Sequence, residues 1–369
     1  MMQERPRYRK RIQRELNAGA LEGVYPGAAL VVGRAGKVIL SLEAGRHSLD
    51  PAARAVDEGT IFDLGSLTKP LVTSLALMRL VDRGRLDLDR PIAEILPGSP
   101  AVGGRMTSRL LLCHAAGLPD WRAYYRRLEG VAPDRRKAQC RTWILEEPPA
   151  YEPGTGCVYS DLGFMLLEWV VEQVAGLDMG TYVDRLFLEP LGLERTFLFR
   201  AFEPPRFEKD AFAATEDCSW RGRVLQGEVH DENAFALGGY SGHAGLFGTA
   251  RDVFLMAGML RDHLVAERND LFHPETVRTF FLRQDRIPGC SRALGWDTPS
   301  GEGSSAGRHF SPYSVGHLGF PGTSLWMDLD KDVQVVLLTN RVHPTRRNGR
   351  IRAFRPRIHD RVMEGLGLG

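Results

Sequence analysis

The chain has 369 residues, 43% of them hydrophobic and 25% charged, with a formal net charge of +2. That composition excludes a disordered or low-complexity protein, and so small a charge gives no argument for nucleic-acid binding. No stretch is long and apolar enough for a membrane span, and the basic N-terminal run leads into no apolar signal core, so a cytoplasmic protein is expected.

Residues 8–22 read as a surface helix, and Ala28 to Val32 with Lys37 to Leu42 as two strands around a Gly33-Arg34-Ala35-Gly36 turn. A second apolar run opens at Phe62-Asp63-Leu64-Gly65-Ser66-Leu67-Thr68-Lys69-Pro70. Leu67, Leu71, Val72, Leu75, Met78, Leu80 and Val81 leave almost no polar face until Arg79, Asp82 and Arg83, and Gly84 suits the stop, so the spacing predicts a buried helix with Ser66 at its N-terminus. Pro70 then falls in the first turn, where the amide hydrogen it lacks would have no partner. Ser108 to His114 starts a short helix that stops at Ala116-Gly117-Leu118-Pro119. Helical apolar spacing continues over Arg122 to Leu128, Lys137 to Glu147, Leu162 to Ala175 and Thr181 to Leu188. A Gly-rich stretch from Leu237 to Gly245 precedes a helix over Ala250 to Leu260. Ser324 to Leu329 and Val333 to Asn340 read as strands around an Asp330-Lys331-Asp332 turn. A basic helix from Ile351 to Met363 closes the chain, and the arginines of this end (Arg346, Arg347, Arg350, Arg352, Arg355, Arg357, Arg361) read as a solvated face. Strands near both ends with helices between predict an α/β (α+β) fold. Its sheet domain would be assembled from residues 1–80 and 285–369, with a mostly helical subdomain over 81–284.

Chemistry is suggested first by Ser66 and Lys69. Their i,i+3 spacing sets both on one helix face, where the dipole favours negative charge beside the hydroxyl. Burial among apolar neighbours is expected to lower the lysine pKa and free a neutral amine as proton acceptor. Such a pair is an activated nucleophile, although Ser-x-x-Lys alone also fits a helix cap followed by a snorkelling lysine. Tyr159, on a turn ahead of an apolar helix, reads as a general base or proton shuttle, or else as a half-buried packing tyrosine. In the segment Val315 to Ser324, Gly319 marks a close approach of backbone or ligand to a strand. The amides of Phe320 and Ser66 would then face a carbonyl oxygen as an oxyanion hole, with His317 lining the same cleft. Glu228, His230 and Asp231 match no familiar metal spacing, and Gly303 to Gly307 reads as a loop rather than a nucleophile elbow. The five cysteines are odd in number, carry no Cys-x-x-Cys pair and fit reduced thiols. No metal or cofactor is expected.

Taken together, these stretches resemble the penicillin-recognising serine hydrolases of the class C β-lactamase, D,D-carboxypeptidase and esterase superfamily. Three motifs carry the resemblance, in order: Ser66 to Lys69, Tyr159-Ser160-Asp161 where the family has Tyr-x-Asn, and His317-Leu318-Gly319 where it has Lys-Thr-Gly or His-x-Gly. Leu111 to Pro119, Asp231 to Ala234, Gly242 to Phe247 and Leu337 to Pro344 are similar to supporting stretches of the family.

The resemblance implies a β-lactamase/transpeptidase-like fold, an antiparallel sheet flanked by terminal helices with the active site against a helical subdomain. It implies attack by Ser66 on a small ester or amide through an acyl-enzyme. Lys69 and Tyr159 would share proton transfer, and Asp161 would order Lys69 and the substrate amide. Two departures modify this expectation. Asp161 in place of asparagine should hold Lys69 protonated and shift base duty to Tyr159. His317 in place of lysine should bind a substrate carboxylate as imidazolium, and therefore only at lower pH. The alternative is a scaffold or binding protein that keeps the fold without the chemistry, against which intact Ser66, Lys69 and Tyr159 argue.

Overall fold

The computed structural model describes residues 4–96, 98, 105–285 and 287–369. Strands from the two ends of the chain meet in one antiparallel sheet: β1 (Gly27–Arg34), β2 (Lys37–Gly45), β3 (Ser314–Leu318), β4 (Ser324–Asp328) and β5 (Val333–Thr339), in the order β2-β1-β5-β4-β3. The helices that matter for the site are α1 (Glu4–Leu21), α2 (Leu75–Asp82), α3 (Asp161–Ala175), α4 (Ala250–Leu264) and α5 (Ile351–Gly365).

Strand β5 is apolar at nearly every position because both of its faces are covered. Val333, Val335 and Leu337 join a core with Ile12 and Leu16 of α1 and Phe354 and Ile358 of α5. Val336 and Leu338 point the other way, into the core that holds Val253, Met256 and Leu260 of α4 and the buried run after Ser66. The alternation in β1 divides in the same manner, Leu30 and Val32 to the first core and Ala29 and Val31 to the second. Each such side chain contributes on the order of 1.5–3 kcal/mol when removed from water. Leu30 lies opposite Leu337 and Leu42, so a one-residue slip would exchange the two faces throughout. At the β1–β2 turn Ala35 and Gly36 both have positive φ (49° and 68°), the geometry a two-residue hairpin of natural twist requires.

Two expectations are corrected. Helix α4, placed by its sequence position within residues 81–284, packs on β1 and β5 and so belongs with the sheet rather than with the helical segment. The closing arginines are not one solvated face: Arg355 is buried, while Arg357 turns to Glu15 of α1 at 2.6 Å. A three-stranded sheet of Phe62–Asp63, Leu246–Gly248 and Phe197–Leu198, and a helix over Pro274–Phe281, were not predicted. Strands of two or three residues leave no periodic signal to read.

Just beyond β5, the buried Asn340 joins three segments. Its Oδ1 accepts from the Gly27 amide at 2.9 Å, and its Nδ2 donates to the carbonyls of His47 (2.9 Å) and Ala214 (3.0 Å). Replacing Asn340 by alanine removes all three buried hydrogen bonds, and a loss of about 2–4 kcal/mol is expected in urea unfolding. A loss under about 0.5 kcal/mol, the scale of an ordinary surface change, would contradict this role.

Candidate active site

Ser66 lies where the chain leaves the short strand Phe62–Asp63 and tightens. Asp63, buried in that strand, accepts from the Gly65 amide through Oδ1 (2.8 Å) and from the His230 amide through Oδ2 (2.7 Å), fixing the start of the turn. Gly65 has φ +54°, and a β-carbon on it would lie 2.5 Å from Pro321 Cδ, so only glycine fits. The continuous helix expected from Ser66 is not what forms. Gly65–Leu67 is a 3-10 turn and Lys69–Ser74 a π turn, followed by α2. Pro70 has no amide hydrogen to enter a regular ladder, and the wider turn takes up the irregularity. Ser66 and Lys69 nevertheless meet, Nζ donating to Oγ at 3.0 Å.

Lys69 is fully buried and also donates to Asp161 Oδ1 at 2.6 Å and to the His243 carbonyl at 3.4 Å. Burial pushes its pKa down, as the sequence suggested, but the charges and hydrogen bonds of Asp161 and Tyr159 outweigh that and raise it above the usual lysine value. The amine is therefore an ammonium. The expectation of a desolvated neutral amine is corrected, because the Asp161 carboxylate favours the charged lysine. Ser160 caps α3, its Oγ accepting from the Gly163 amide (3.3 Å) and donating to the Pro119 carbonyl (2.7 Å). That cap sets Asp161 in the first helical turn and Tyr159 just outside it.

The half-buried ring of Tyr159 stands among cations and imidazoles. Lys69 Nζ is 4.7 Å from its centroid and the Arg292 guanidinium 5.1 Å, while the rings of His114 and His317 have centroids 4.5 and 6.0 Å away. His114 accepts the Ser160 amide through Nδ1 at 3.0 Å from a strained backbone position, φ +61°. Its pKa lies well below the usual value because it is buried beside Arg292 and Lys69, so it stays neutral.

His317 departs from its expected role. It is only 3% exposed, its Nδ1 lies 2.8 Å from the Leu318 carbonyl, and its buried Nε2 has no partner among the described residues. Burial, Lys69 and Arg292 all push its pKa well below 6.5, so it is a neutral imidazole rather than a carboxylate-binding imidazolium. Gly319 is where the sequence called for close approach. A β-carbon there would lie 1.9 Å from Thr323 Oγ1 and 2.5 Å from the Leu64 carbonyl, to which that hydroxyl donates at 2.9 Å. The crossing brings the Phe320 amide nitrogen to 3.4 Å from the place of a β-carbon on Gly65. The amides of Ser66 and Phe320 have no hydrogen-bond partner among the described residues.

Behind Lys69 lies a second pair. His243 Nε2 meets Asp231 Oδ1 at 2.9 Å. Burial would lower the His243 pKa, but Asp231 raises it, and in return Asp231 is held well below the carboxylate range against the upward push of its own burial. Asp161, Asp231 and His243 offer ligand atoms within 4.8 Å of one another. Lys69 already engages Asp161 and His243 engages Asp231, so the group is a chain of compensated charges. Glu228 and His230 turn away from Asp231, to Arg223 (2.8 Å) and Glu216 (3.0 Å).

Ser66, Tyr159, Asp161, His317, Gly319 and Phe320 all line one cleft of about 680 Å³, with Lys69 directly behind Ser66. Of the residues not singled out from sequence, His114 and His243 stood in stretches similar to the family but carried no assigned role. Arg292 lies in a loop without periodicity and had no signal.

Comparison with known proteins gives a family. The family model described as Beta-lactamase matches residues 9–356. The N-acetylmuramyl-L-alanine amidase of Bacillus subtilis strain 168 is 31% identical over 358 residues, covering 90% of this chain and 80% of that protein. A putative D-alanyl-D-alanine carboxypeptidase of Escherichia coli K12 is 34% identical, covering 77% of this chain and 70% of that one. The crystal structure of SurE superposes with a TM-score of 0.72 at 25% identity, over 98% of this chain and 77% of the other. The chain thus belongs to the beta-lactamase family, and it is a serine hydrolase of the superfamily that includes D,D-carboxypeptidases and penicillin-binding-protein homologues.

Proposed function

We propose that the protein cleaves an amide or ester of a small cell-wall-type fragment through an acyl-enzyme on Ser66. The observation that carries this reading is the placement of Lys69 Nζ, 3.0 Å from Ser66 Oγ and 2.6 Å from Asp161, on a turn whose Ser66 amide and the neighbouring Phe320 amide are both free. In the proposed first step Tyr159, acting as the phenolate, takes the Ser66 proton as Oγ attacks the carbonyl carbon, which leaves Tyr159 a neutral phenol. The Lys69 ammonium, which cannot accept a proton while paired with Asp161, stabilises the developing charge on Oγ. The two free amides receive the carbonyl oxygen as it becomes an oxyanion. The leaving amine or alcohol takes the proton back, and water then attacks the acyl-enzyme by the reverse transfers. The names of the two curated relatives favour an amide over a simple ester. The cleft is proposed to lie between the sheet-bearing ends of the chain and the helices of its middle segment.

A fluorophosphonate probe read by intact mass tests the nucleophile. Ser66→Ala is expected to abolish labelling and hydrolysis with the fold unchanged, and a label that persists on the variant would remove Ser66 from this role. Lys69→Ala and Tyr159→Phe are each expected to lower turnover by about 10²–10⁴-fold, the range for a positioned acid, base or charge.

The Lys69–Asp161 pair gives a sign in the pH profile. Asp161 raises the Lys69 pKa, so Asp161→Asn lowers it and the ammonium is lost at lower pH than in wild type. The alkaline limb of kcat/KM should therefore move to lower pH. If the acid limb moves down instead, neutral Lys69 is the base. For His317 the neutral ring predicts that the KM ratio of a carboxylate-bearing ester to a matched neutral ester stays flat between about pH 5.5 and 8.5, the window of imidazole titration. A ratio that rises through that window would return the charge to His317.

A further inference from the structure

We propose that the arginine-lined part of the cleft binds a phosphate monoester, carried by the substrate of the Ser66 centre. That the carrier is a substrate rests on the hydrolase reading above; the anion site itself does not. Arg341 and Arg355 are 8% and 6% exposed, and neither meets a carboxylate among the described residues. Arg341 gives Nε to the Phe320 carbonyl (2.9 Å) and Nη1 to the carbonyls of Arg346 (2.9 Å) and Asn348 (2.8 Å), and its Nη2 has no hydrogen-bond partner among the described residues. Arg355 gives Nη2 to the carbonyls of Gly319 and Thr323, both at 2.8 Å, while its buried Nε has no partner among the described residues. Arg347 and Arg352 line the same cleft, exposed, and form no ion pair among the described residues. Arg346 beside them differs, being paired with Glu216 and Glu232.

Carbonyl dipoles only partly offset a buried cation, and a guanidinium held out of water calls for a counter-charge. Burial and repulsion from Arg352 and Arg346, only partly offset by Glu216, push Arg341 down to about 10, and burial with repulsion from Arg341 pushes Arg355 to about 9. The N-terminal end of α5 adds its dipole at the same wall, where Gly349 and Ile351 line the cleft. A carboxylate would offset one of these charges. A phosphate monoester brings about −1.5 to −2 at neutral pH and three acceptor oxygens, matched to forked guanidinium donors. The concave cleft, about 680 Å³, suits a soluble small molecule rather than a headgroup in a flat bilayer.

The test uses full-length Ser66→Ala protein, which requires no turnover. It is titrated with inorganic phosphate, glucose 6-phosphate and acetate at one ionic strength, by calorimetry and thermal shift. Both phosphates are expected to raise the melting temperature and to bind about tenfold or more tightly than acetate. The double variant R347Q/R352Q, changed only at exposed positions, should melt normally without phosphate and lose about tenfold or more in phosphate affinity. Equal binding of acetate, or unchanged phosphate affinity in R347Q/R352Q, overturns the site. Binding confined to phosphatidic acid vesicles overturns the soluble ligand. Phosphate binding that survives while Ser66 proves unreactive in wild type supports the anion site and overturns the hydrolase reading alone.

Discussion

An ammonium with no exposure to water is the constraint on which the rest of this site depends. Lys69 is among the largest fully buried side chains of the protein, and a charge so placed is tolerated only when paired and hydrogen-bonded. Removing the partner of a buried pair costs about 3–5 kcal/mol, a large share of the stability of a typical domain. The partners come from segments far apart in sequence: Asp161 at the start of α3, the His243 carbonyl from the Gly-rich stretch, and Ser66 from the turn before α2. Satisfying one charge therefore draws three parts of the chain to a point. The serine hydroxyl takes its orientation from the same nitrogen, so the demand of stability and the geometry of the nucleophile are met by one set of contacts.

The other half of the site is set by backbone rather than charge. Gly65 and Gly319 let the Ser66 turn and the end of β3 approach more closely than any side chain permits, and Thr323 ties them through the Leu64 carbonyl. Because β3 is fixed in register against β4, with His317 opposite Leu325, the sheet carries this crossing rigidly. Two free amides are thereby held on the edge of the cleft without support from a flexible loop. Arg355 and Arg341 hold the same loop by donating to the carbonyls of Gly319 and Phe320.

Four of the five sheet strands and the three motif positions were legible in the sequence because each rests on a local rule: alternation or continuous apolarity in the strands, glycine at close crossings, a turn ahead of an apolar helix. What could not be read depends on three-dimensional neighbours. The 3-10 and π turns around Ser66 arise from Pro70 together with tertiary packing, and composition alone favours an ordinary helix there. His317 looked like a titrating residue because imidazole usually is. Its neutrality follows from burial, from Lys69, 248 positions earlier in the chain, and from Arg292 in an unpatterned loop. Lys69 was ambiguous for a related reason, since burial and a carboxylate partner shift its pKa in opposite directions and only the 2.6 Å contact decides between them.

The same rule applied across the cleft separates two kinds of buried cation. Lys69 and His243 each have a carboxylate within hydrogen-bonding distance, which favours their charged forms. Arg341 and Arg355 have carbonyl oxygens only, and Arg341 stacks over Phe320 with 4.5 Å to the ring centroid. An anion arriving at these arginines would meet groups that already grip the Gly319–Phe320 backbone. Occupancy there and the position of the Phe320 amide are then linked through two hydrogen bonds, from Arg355 to Gly319 and from Arg341 to Phe320. Binding energy from a remote, non-reacting part of a substrate can reach the reacting carbonyl by that route, which is how affinity at a distance becomes orientation at the nucleophile.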